Sequence, residues 1–171
     1  GSFIVATDCS FTSNYTAGSG GAFYCGGTAD LTRCSFTANT GAGGEGGAFR
    51  AGSTVTAVDC PFSANHCGGS GGAFVASNGG ATLTRCSFEA NTATNGSGGA
   101  FYANYAVAAI DCPFNSNHCG GTGGAFQTTS GSATITRCTF TSNTATNGNG
   151  GAFYCASTAN LTDGSFDNNT C

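Results

Sequence analysis

The sequence contains no lysine, no methionine and no tryptophan, and only 2 of its 171 residues are proline. Charged residues make up 7 % of the chain, where about 25 % is usual. With only four arginines, the chain lacks the basic surface that binds nucleic acids or anionic lipids. A Walker-type phosphate loop is excluded because it requires a lysine. No apolar run is long enough for a membrane helix, so we expect neither a nucleic-acid partner nor membrane insertion.

Leucine, isoleucine and valine are also scarce, whereas the chain has 14 Phe and 11 Cys. Aliphatic residues alone are too few for an ordinary globular core. Eleven cysteines in a chain rich in Asn, Ser and Thr favour an oxidising, extracellular or cell-surface location. A zinc site would be the cytosolic alternative, but no Cys-x-x-Cys pair supports it, and we expect no metal and no cofactor.

Two motifs repeat along the whole chain with a period of about 26 residues. Gly-Gly-Ala-Phe ends at Phe23, Phe49, Phe74, Phe101, Phe126 and Phe153. Phe-x-x-Asn begins at Phe11, Phe36, Phe62, Phe88, Phe114, Phe140 and Phe166. It ends at Asn14, Asn39, Asn65, Asn91, Asn117, Asn143 and Asn169. A cysteine column lies two residues before the Phe of this second motif, with Gly164 in its last place.

A 26-residue unit with two Phe cannot bury a core alone, but stacked units can bury like residues against like. The units are short β-type runs broken by Gly-Gly pairs, which exclude long helical repeats. We therefore predict an all-β fold, a parallel β-solenoid of about 6.5 coils whose strands lie about 4.8 Å apart. It would form one domain over residues 1–171, either complete or a section of a longer repeat array.

Two alternations indicate that the structural unit is a pair of coils, 52 residues long. In the strand before the cysteine column, a large and a small residue exchange places from coil to coil, as in Ile4/Ala6 and Ala29/Leu31. Directly before that column, a charge ladder alternates in sign: Asp8, Arg33, Asp59, Arg85, Asp111, Arg137 and Asp163. We expect each charge inside the ladder to have an opposite charge above and below it, which would disfavour a slip by one coil.

The combination of Gly-Gly-Ala plus a hydrophobic residue with Phe-x-x-Asn resembles the repeat of the polymorphic outer membrane proteins. The resemblance extends from the strand before Cys9 to Asn169. It implies a surface protein whose passenger is a right-handed parallel β-helix. This chain has Phe after Gly-Gly-Ala where the family more often has smaller aliphatic residues, and outer-membrane anchoring is not carried over from the resemblance.

Few residues outside the ladders offer chemistry. The Asn column is interpreted as a hydrogen-bonded structural ladder, with Asn14 buried in it. His66 and His118 lie two coils apart, too far to share a metal. We interpret Asp30, Glu45, Glu89 and Asp167 as scattered carboxylates, which disfavours the carboxylate cluster of a polysaccharide-acting β-helix enzyme. We expect no catalytic residues and no metal ligands.

The cysteines leave several pairings open. Pairing within a coil, Cys60 with Cys67 and Cys112 with Cys119, is our expectation, although stacked neighbours in the column also lie within disulfide range. Cys67, Cys119 and Cys171 form a second column, and Cys25 and Cys155 share one site. Because eleven is odd, at least one thiol is free or bonded to another chain, and Cys25, Cys155 and Cys171 are candidates for a bond between chains.

Two further features concern the surface. The outward positions of the strand before the cysteine column are rich in Thr, which raises ice binding as an alternative to an ordinary exposed strand. Candidate glycosylation sites are Asn95, Asn160 and Asn168.

We therefore predict a non-enzymatic extracellular structural protein, either a building block of a surface appendage or filament or the passenger of an adhesin. Its expected partners are further copies of itself, joined end to end or laterally, and glycans or cell surfaces. Ice binding and polysaccharide cleavage are the alternatives.

Overall fold

The computed structural model describes residues 2–171, and Gly1, where the expected domain begins, lies outside them. Every regular element in the described range is a short strand, and the strands form four parallel sheets. Each full coil contributes one strand to each sheet, and equivalent residues of successive repeats are hydrogen-bonded neighbours, as Phe62 is to Phe36 and Phe88. The predicted all-β parallel solenoid, with one coil per repeat, is confirmed.

The sheets are numbered in the order in which the chain enters them. Sheet 1 contains Ile4–Thr7, Ala29–Thr32, Val55–Val58, Ala81–Thr84, Val107–Ile110, Ala133–Thr136 and Ala159–Thr162. Sheet 2 contains Ser10–Thr12, Ser35–Thr37, Pro61–Ser63, Ser87–Glu89, Pro113–Asn115, Thr139–Thr141 and Ser165–Asp167. Sheet 3 contains Tyr15–Thr16, Thr40–Gly41, His66–Cys67, Thr92–Ala93, His118–Cys119 and Thr144–Ala145. Sheet 4 contains Phe23–Cys25, Phe49–Ala51, Phe74–Ala76, Phe101–Ala103, Phe126–Thr128 and Phe153–Cys155.

Backbone corners with positive φ turn the chain from one sheet to the next. The charge-ladder residues form the corner between sheets 1 and 2, with φ between 50° at Arg137 and 56° at Asp8. This left-handed conformation costs an L-residue about 1–2 kcal/mol, and Asp tolerates it better than Arg. The corner between sheets 2 and 3 is made by the residue before each ladder Asn, for example Ala90 with φ 52°. The repeated fold therefore imposes these conformations on residues that do not favour them.

The two glycines of Gly-Gly-Ala-Phe have different roles. The first has positive φ, as at Gly98 with 68°, which glycine adopts without steric cost. At the second there is no space for a side chain, because a Cβ on Gly99 would lie 2.2 Å from the carbonyl oxygen of Gly124. Successive coils thus approach each other backbone to backbone at this motif.

Two columns of phenylalanine rings fill the core, as predicted. In the column of the second motif, Phe62 and Phe88 stack with ring centroids 4.8 Å apart and planes inclined by 2°. In the column after Gly-Gly-Ala, Phe74 and Phe101 stack at 4.9 Å. Rings of different columns meet at a tilt, as Phe62 and Phe74 do at 52°. The four rings are completely buried, so a small number of aromatic residues replaces the missing aliphatic core.

The large and small residues of sheet 1 interdigitate in the register that the sequence predicted. Leu83 pairs with Ala57 on one side and with Ala109 on the other, and all three are buried. A second, smaller core cluster lies beneath sheet 3 and consists of Cys67, Ala93, Cys119 and Ala145.

Candidate functional site

The predicted Asn ladder is confirmed, and in the inner coils every donor and acceptor of its side chains is used. The backbone N–H and the Nδ2 of Asn65 both donate to Oδ1 of Asn91, at 3.0 Å each. Nδ2 of Asn65 also donates to the Phe36 carbonyl at 3.0 Å. The ladder residues of the inner coils are fully buried, whereas Asn14 is exposed, which corrects the expectation that it is buried. Within residues 2–171, no coil stacks on the outer side of Asn14. The buried amides have no remaining donor or acceptor for a ligand.

The charge ladder forms separate ion pairs and not a continuous alternation of contacts. Arg85 donates from Nε to Oδ1 of Asp59 at 2.6 Å and from Nη2 to Oδ2 at 2.9 Å. The same fork joins Arg33 to Asp8 and Arg137 to Asp111. Each Arg thus contacts the Asp of the preceding coil only, since one carboxylate engages the whole fork. These contacts repeat every second coil.

The ion pairs are exposed, with Arg side chains 53–55 % accessible, so their main effect is on register and not on stability. The hydrogen bond from Arg85 lowers the pKa of Asp59 below its ordinary value. Asp163 is not part of a salt bridge within the described residues.

All eleven cysteines are free thiols, and the disulfides expected within coils are not formed. The reason is geometric: Cys60 lies in the main core, whereas Cys67 lies in the separate cluster beneath sheet 3. The Cys67 thiol donates to the carbonyl oxygens of Gly69 and Ser70 at 3.3 Å. Cys112 and Cys119 are separated in the same way. Of the proposed intermolecular candidates, Cys25 is buried, Cys155 is partly buried and Cys171 is exposed.

Sulfurs of the main cysteine column accept hydrogen bonds from backbone N–H groups just after the corner between sheets 1 and 2. The sequence did not suggest this role. The backbone N–H of Cys34 donates to Sγ of Cys60 at 3.3 Å, and that of Cys86 donates to Sγ of Cys112 at 3.4 Å. Contact with the Cys112 and Cys60 sulfurs, together with burial, raises the pKa of Cys86. The column therefore has a structural role, in which sulfurs such as those of Cys60 and Cys112 pair with a backbone group of the neighbouring coil.

Burial raises the pKa of Cys67 from 9.0 to about 12, and it also raises that of Cys119. Such a thiol stays neutral in the folded protein while the unfolded chain ionises. Its contribution to stability is complete below pH 9 and is lost as the pH rises from 9 towards 12. In this range we predict a loss of about 1.4 kcal/mol of unfolding free energy per pH unit for such a thiol.

The variant Cys67→Ala should therefore show a shallower decline of stability than the wild type. Urea unfolding under reducing conditions between about pH 8 and 10.5 measures this difference. Asn95→Ala, which removes no thiol, is the control and should follow the wild type. Parallel curves for Cys67→Ala and wild type would contradict a neutral, buried Cys67.

The histidines are not brought together. His66 and His118 belong to alternate strands of sheet 3 and both pair with Thr92 between them. Among residues 2–171 no group of three or more His, Cys, Asp or Glu side chains is arranged to hold a metal ion. No helix in this part of the chain is long and apolar enough to span a membrane.

The structure does bring together one set of polar residues that the sequence left scattered. Glu45, treated above as an isolated carboxylate, accepts a hydrogen bond from Nε of Arg50 at 3.0 Å. Both border a surface pocket of about 300 Å³ over sheet 4. The pocket is lined by Glu45, Arg50, Val75, Ser77, Asn78, Tyr102 and Asn104.

The sequence did contain a signal for this pocket. The middle residue of each sheet 4 strand faces outward, between an inward Phe and a small inward residue. This position varies while its neighbours repeat, and it holds Tyr24, Arg50, Val75, Tyr102, Gln127 and Tyr154. An outward position that varies between otherwise constant repeats predicts a surface whose side chains differ from coil to coil.

The outward face of sheet 1 carries a regular polar array. One of its two columns is β-branched throughout and consists of Thr7, Thr32, Val58, Thr84, Ile110, Thr136 and Thr162. Asp30 and Asn160 interrupt the other column. The sequons at Asn95, Asn160 and Asn168 are exposed, and they remain predicted glycosylation sites.

Comparison with known families agrees with this geometry. A family model for the right handed beta helix region matches residues 1–140, and a model for the Chlamydia polymorphic membrane protein repeat matches residues 137–156. No curated protein and no solved structure is significantly similar to the chain. The first match covers most of the chain, and the second contains the Gly-Gly-Ala-Phe motif that ends at Phe153. The chain therefore belongs to the right-handed β-helix family, and its segment 137–156 is similar to the polymorphic membrane protein repeat.

Proposed function

We propose that the chain is a non-enzymatic structural module of a cell-surface or secreted protein, which acts by presenting the outer faces of a stiff solenoid. The main support is that the Phe, Asn, Asp/Arg and Cys columns all serve to stack one coil on the next. The repeated residues therefore build the solenoid, and its outer faces are left to make contacts. The polymorphic membrane protein repeat is found in a surface protein family that is not enzymatic, which supports the same conclusion.

The partners that suit such a module are sister solenoids, glycans and cell surfaces. Side faces of short strands and Gly-rich loops offer a long array of hydroxyl and amide groups, and the chain carries few charges that would repel a second copy. Adhesion or assembly into an appendage would then depend on shape and repetition.

Surface labelling of intact cells of the source organism tests this proposal. An antibody raised against the purified chain should stain unpermeabilised cells, and external protease should remove the signal while a cytosolic marker persists. Staining that requires permeabilisation would contradict surface display.

Ice binding is a second candidate, favoured by the β-branched outward column of sheet 1. A flat sheet with methyl and hydroxyl groups at regular spacing is the kind of surface that can order water in a lattice. Thermal hysteresis of the purified protein measures this function. Replacing Thr84 at the centre of the column with Asp should abolish the hysteresis, whereas Glu89→Gln on sheet 2 should leave it unchanged. A wild type without hysteresis would eliminate this candidate.

A further inference from the structure

The pocket over sheet 4 brings together several side chains that differ from coil to coil. Its volume of about 300 Å³ lies at the lower end of the range of small-molecule sites. The floor is built from a rigid sheet, since Arg50, Val75 and Tyr102 stand on three adjacent paired strands. Ser77, Asn78 and Asn104 come from the segments that follow two of these strands.

The charges of the pocket cancel. Arg50 is held by Glu45 at 3.0 Å and by the Tyr24 hydroxyl at 2.9 Å, and its guanidinium lies 5.3 Å from the centre of the Tyr24 ring. A positioned guanidinium and carboxylate present hydrogen-bond donors and an acceptor without net charge. An anion or a cation would gain little here, because its counter-charge is already paired.

Two polar atoms at this surface have no partner. Ser77 Oγ and Gln127 Oε1 are the buried side-chain oxygens or nitrogens without a hydrogen bond in the described chain. Ser77 lines the pocket, and Gln127 lies beside Tyr102 on the next strand. Buried polar groups are almost always satisfied. Ser77 itself is partly exposed, and because no hydrogen bond holds its hydroxyl, a change of χ1 rotamer would present Oγ to a ligand in the pocket.

An aromatic residue completes the set. Tyr102 contributes an amphipathic ring to the pocket, and Tyr154 follows two strands further along the same outward column. A ligand that fits this pocket needs an apolar face for the aromatic ring. It also needs several hydroxyl groups, which can bond to the amides, to the Ser77 hydroxyl and to an ion pair without net charge. We propose that this pocket binds a neutral saccharide, with a sugar ring packed on Tyr102 and hydroxyl groups bonded to Ser77 and to the Glu45–Arg50 pair.

This site rests on the proposed function, in which glycans are among the partners. Surface labelling measures where the protein is displayed and titration measures binding, so the two can fail separately. Calorimetric titration of the purified 171-residue chain with cellohexaose, maltohexaose, mannohexaose and chitohexaose tests the site. A sulfated heparin hexasaccharide is the charged comparison. We expect at least one neutral oligosaccharide to bind, and Tyr102→Ala to weaken that binding about tenfold or more. Tyr15→Ala is the matched control, because Tyr15 is exposed on sheet 3 and does not line the pocket.

The variant Ser77→Ala separates a ligand-binding role from a structural one. Because Ser77 Oγ has no partner in the protein, its removal should leave the melting temperature unchanged or raise it. Affinity should nevertheless fall about fivefold or more, since a bond to the ligand is lost. Failure of all four neutral oligosaccharides to bind, binding of the sulfated one alone, or wild-type affinity in both Tyr102→Ala and Ser77→Ala would overturn the proposal.

Discussion

Gly99→Ala is expected to prevent the chain from folding stably, with a loss of more than about 4 kcal/mol of unfolding free energy. The new Cβ would lie 2.2 Å from the Gly124 carbonyl oxygen and 2.6 Å from the His118 backbone nitrogen. Both atoms belong to the backbone of the next coil and are fixed by hydrogen bonds, such as that from the Gly99 N–H to the Gly124 oxygen. No side chain can rotate away to relieve the clash, so the coils themselves would have to separate. A typical domain is stable by only about 5–15 kcal/mol, so the effect is a large fraction of the total.

Gly18→Ala provides the matched control for this substitution. Its Cβ would meet only Thr16 Oγ1, at 3.8 Å, which is an ordinary contact. Soluble yield and the urea midpoint of both variants measure the difference. Gly18→Ala should resemble the wild type, and a Gly99→Ala variant of the same stability would show that the coils do not approach each other at this motif.

Asn91→Ala is expected to cost about 3–5 kcal/mol although it removes only a small polar side chain. The Oδ1 of Asn91 accepts from both nitrogens of Asn65, and its Nδ2 donates to the Phe62 carbonyl and to Oδ1 of Asn117, each at about 3.0 Å. Alanine leaves the Asn65 donors and the Phe62 carbonyl unpaired in a site that water does not reach. An unsatisfied buried group costs about 1–3 kcal/mol, which is why one amide has so large an effect.

The same chemical change at an exposed loop position is the control. Asn95→Ala removes an amide from the segment between sheets 3 and 4, and its side chain is exposed. We expect a change within about 0.5 kcal/mol. Equilibrium unfolding in urea compares the two variants with the wild type. If Asn91→Ala were as stable as Asn95→Ala, the ladder would not be a source of stability.

Much of the fold follows from the sequence because stacking makes like residues neighbours. The period of the Phe and Asn motifs predicts which residues pair, and Phe62 indeed lies between Phe36 and Phe88. The exchange of large and small residues in sheet 1 gave the register of Leu83 with Ala57 and Ala109. Both predictions depend only on spacing along the chain, which a one-coil repeat converts directly into distance.

The direction in which a side chain points within its coil could not be derived from the spacing of the repeats. Cys60 and Cys67 are close in sequence, but the corner between sheets 2 and 3 directs them into different clusters. Each Arg pairs with only one of its two neighbouring Asp residues, because both of its donating nitrogens bind the same carboxylate. The alternating sequence does not determine which neighbour is chosen. The pocket was missed for a similar reason: Glu45 and Arg50 meet through the conformation of the Gly-rich segment between them.

We propose that this solenoid binds and presents surfaces and does not catalyse. The most direct measurement is the release of reducing ends from a panel of neutral and acidic polysaccharides incubated with the purified chain, with bound polysaccharide determined in the same samples. We predict retention of a neutral polysaccharide on the protein with reducing ends at the level of a protein-free blank. Reducing ends that rise with time and with protein concentration would contradict the claim and identify a polysaccharide-cleaving enzyme.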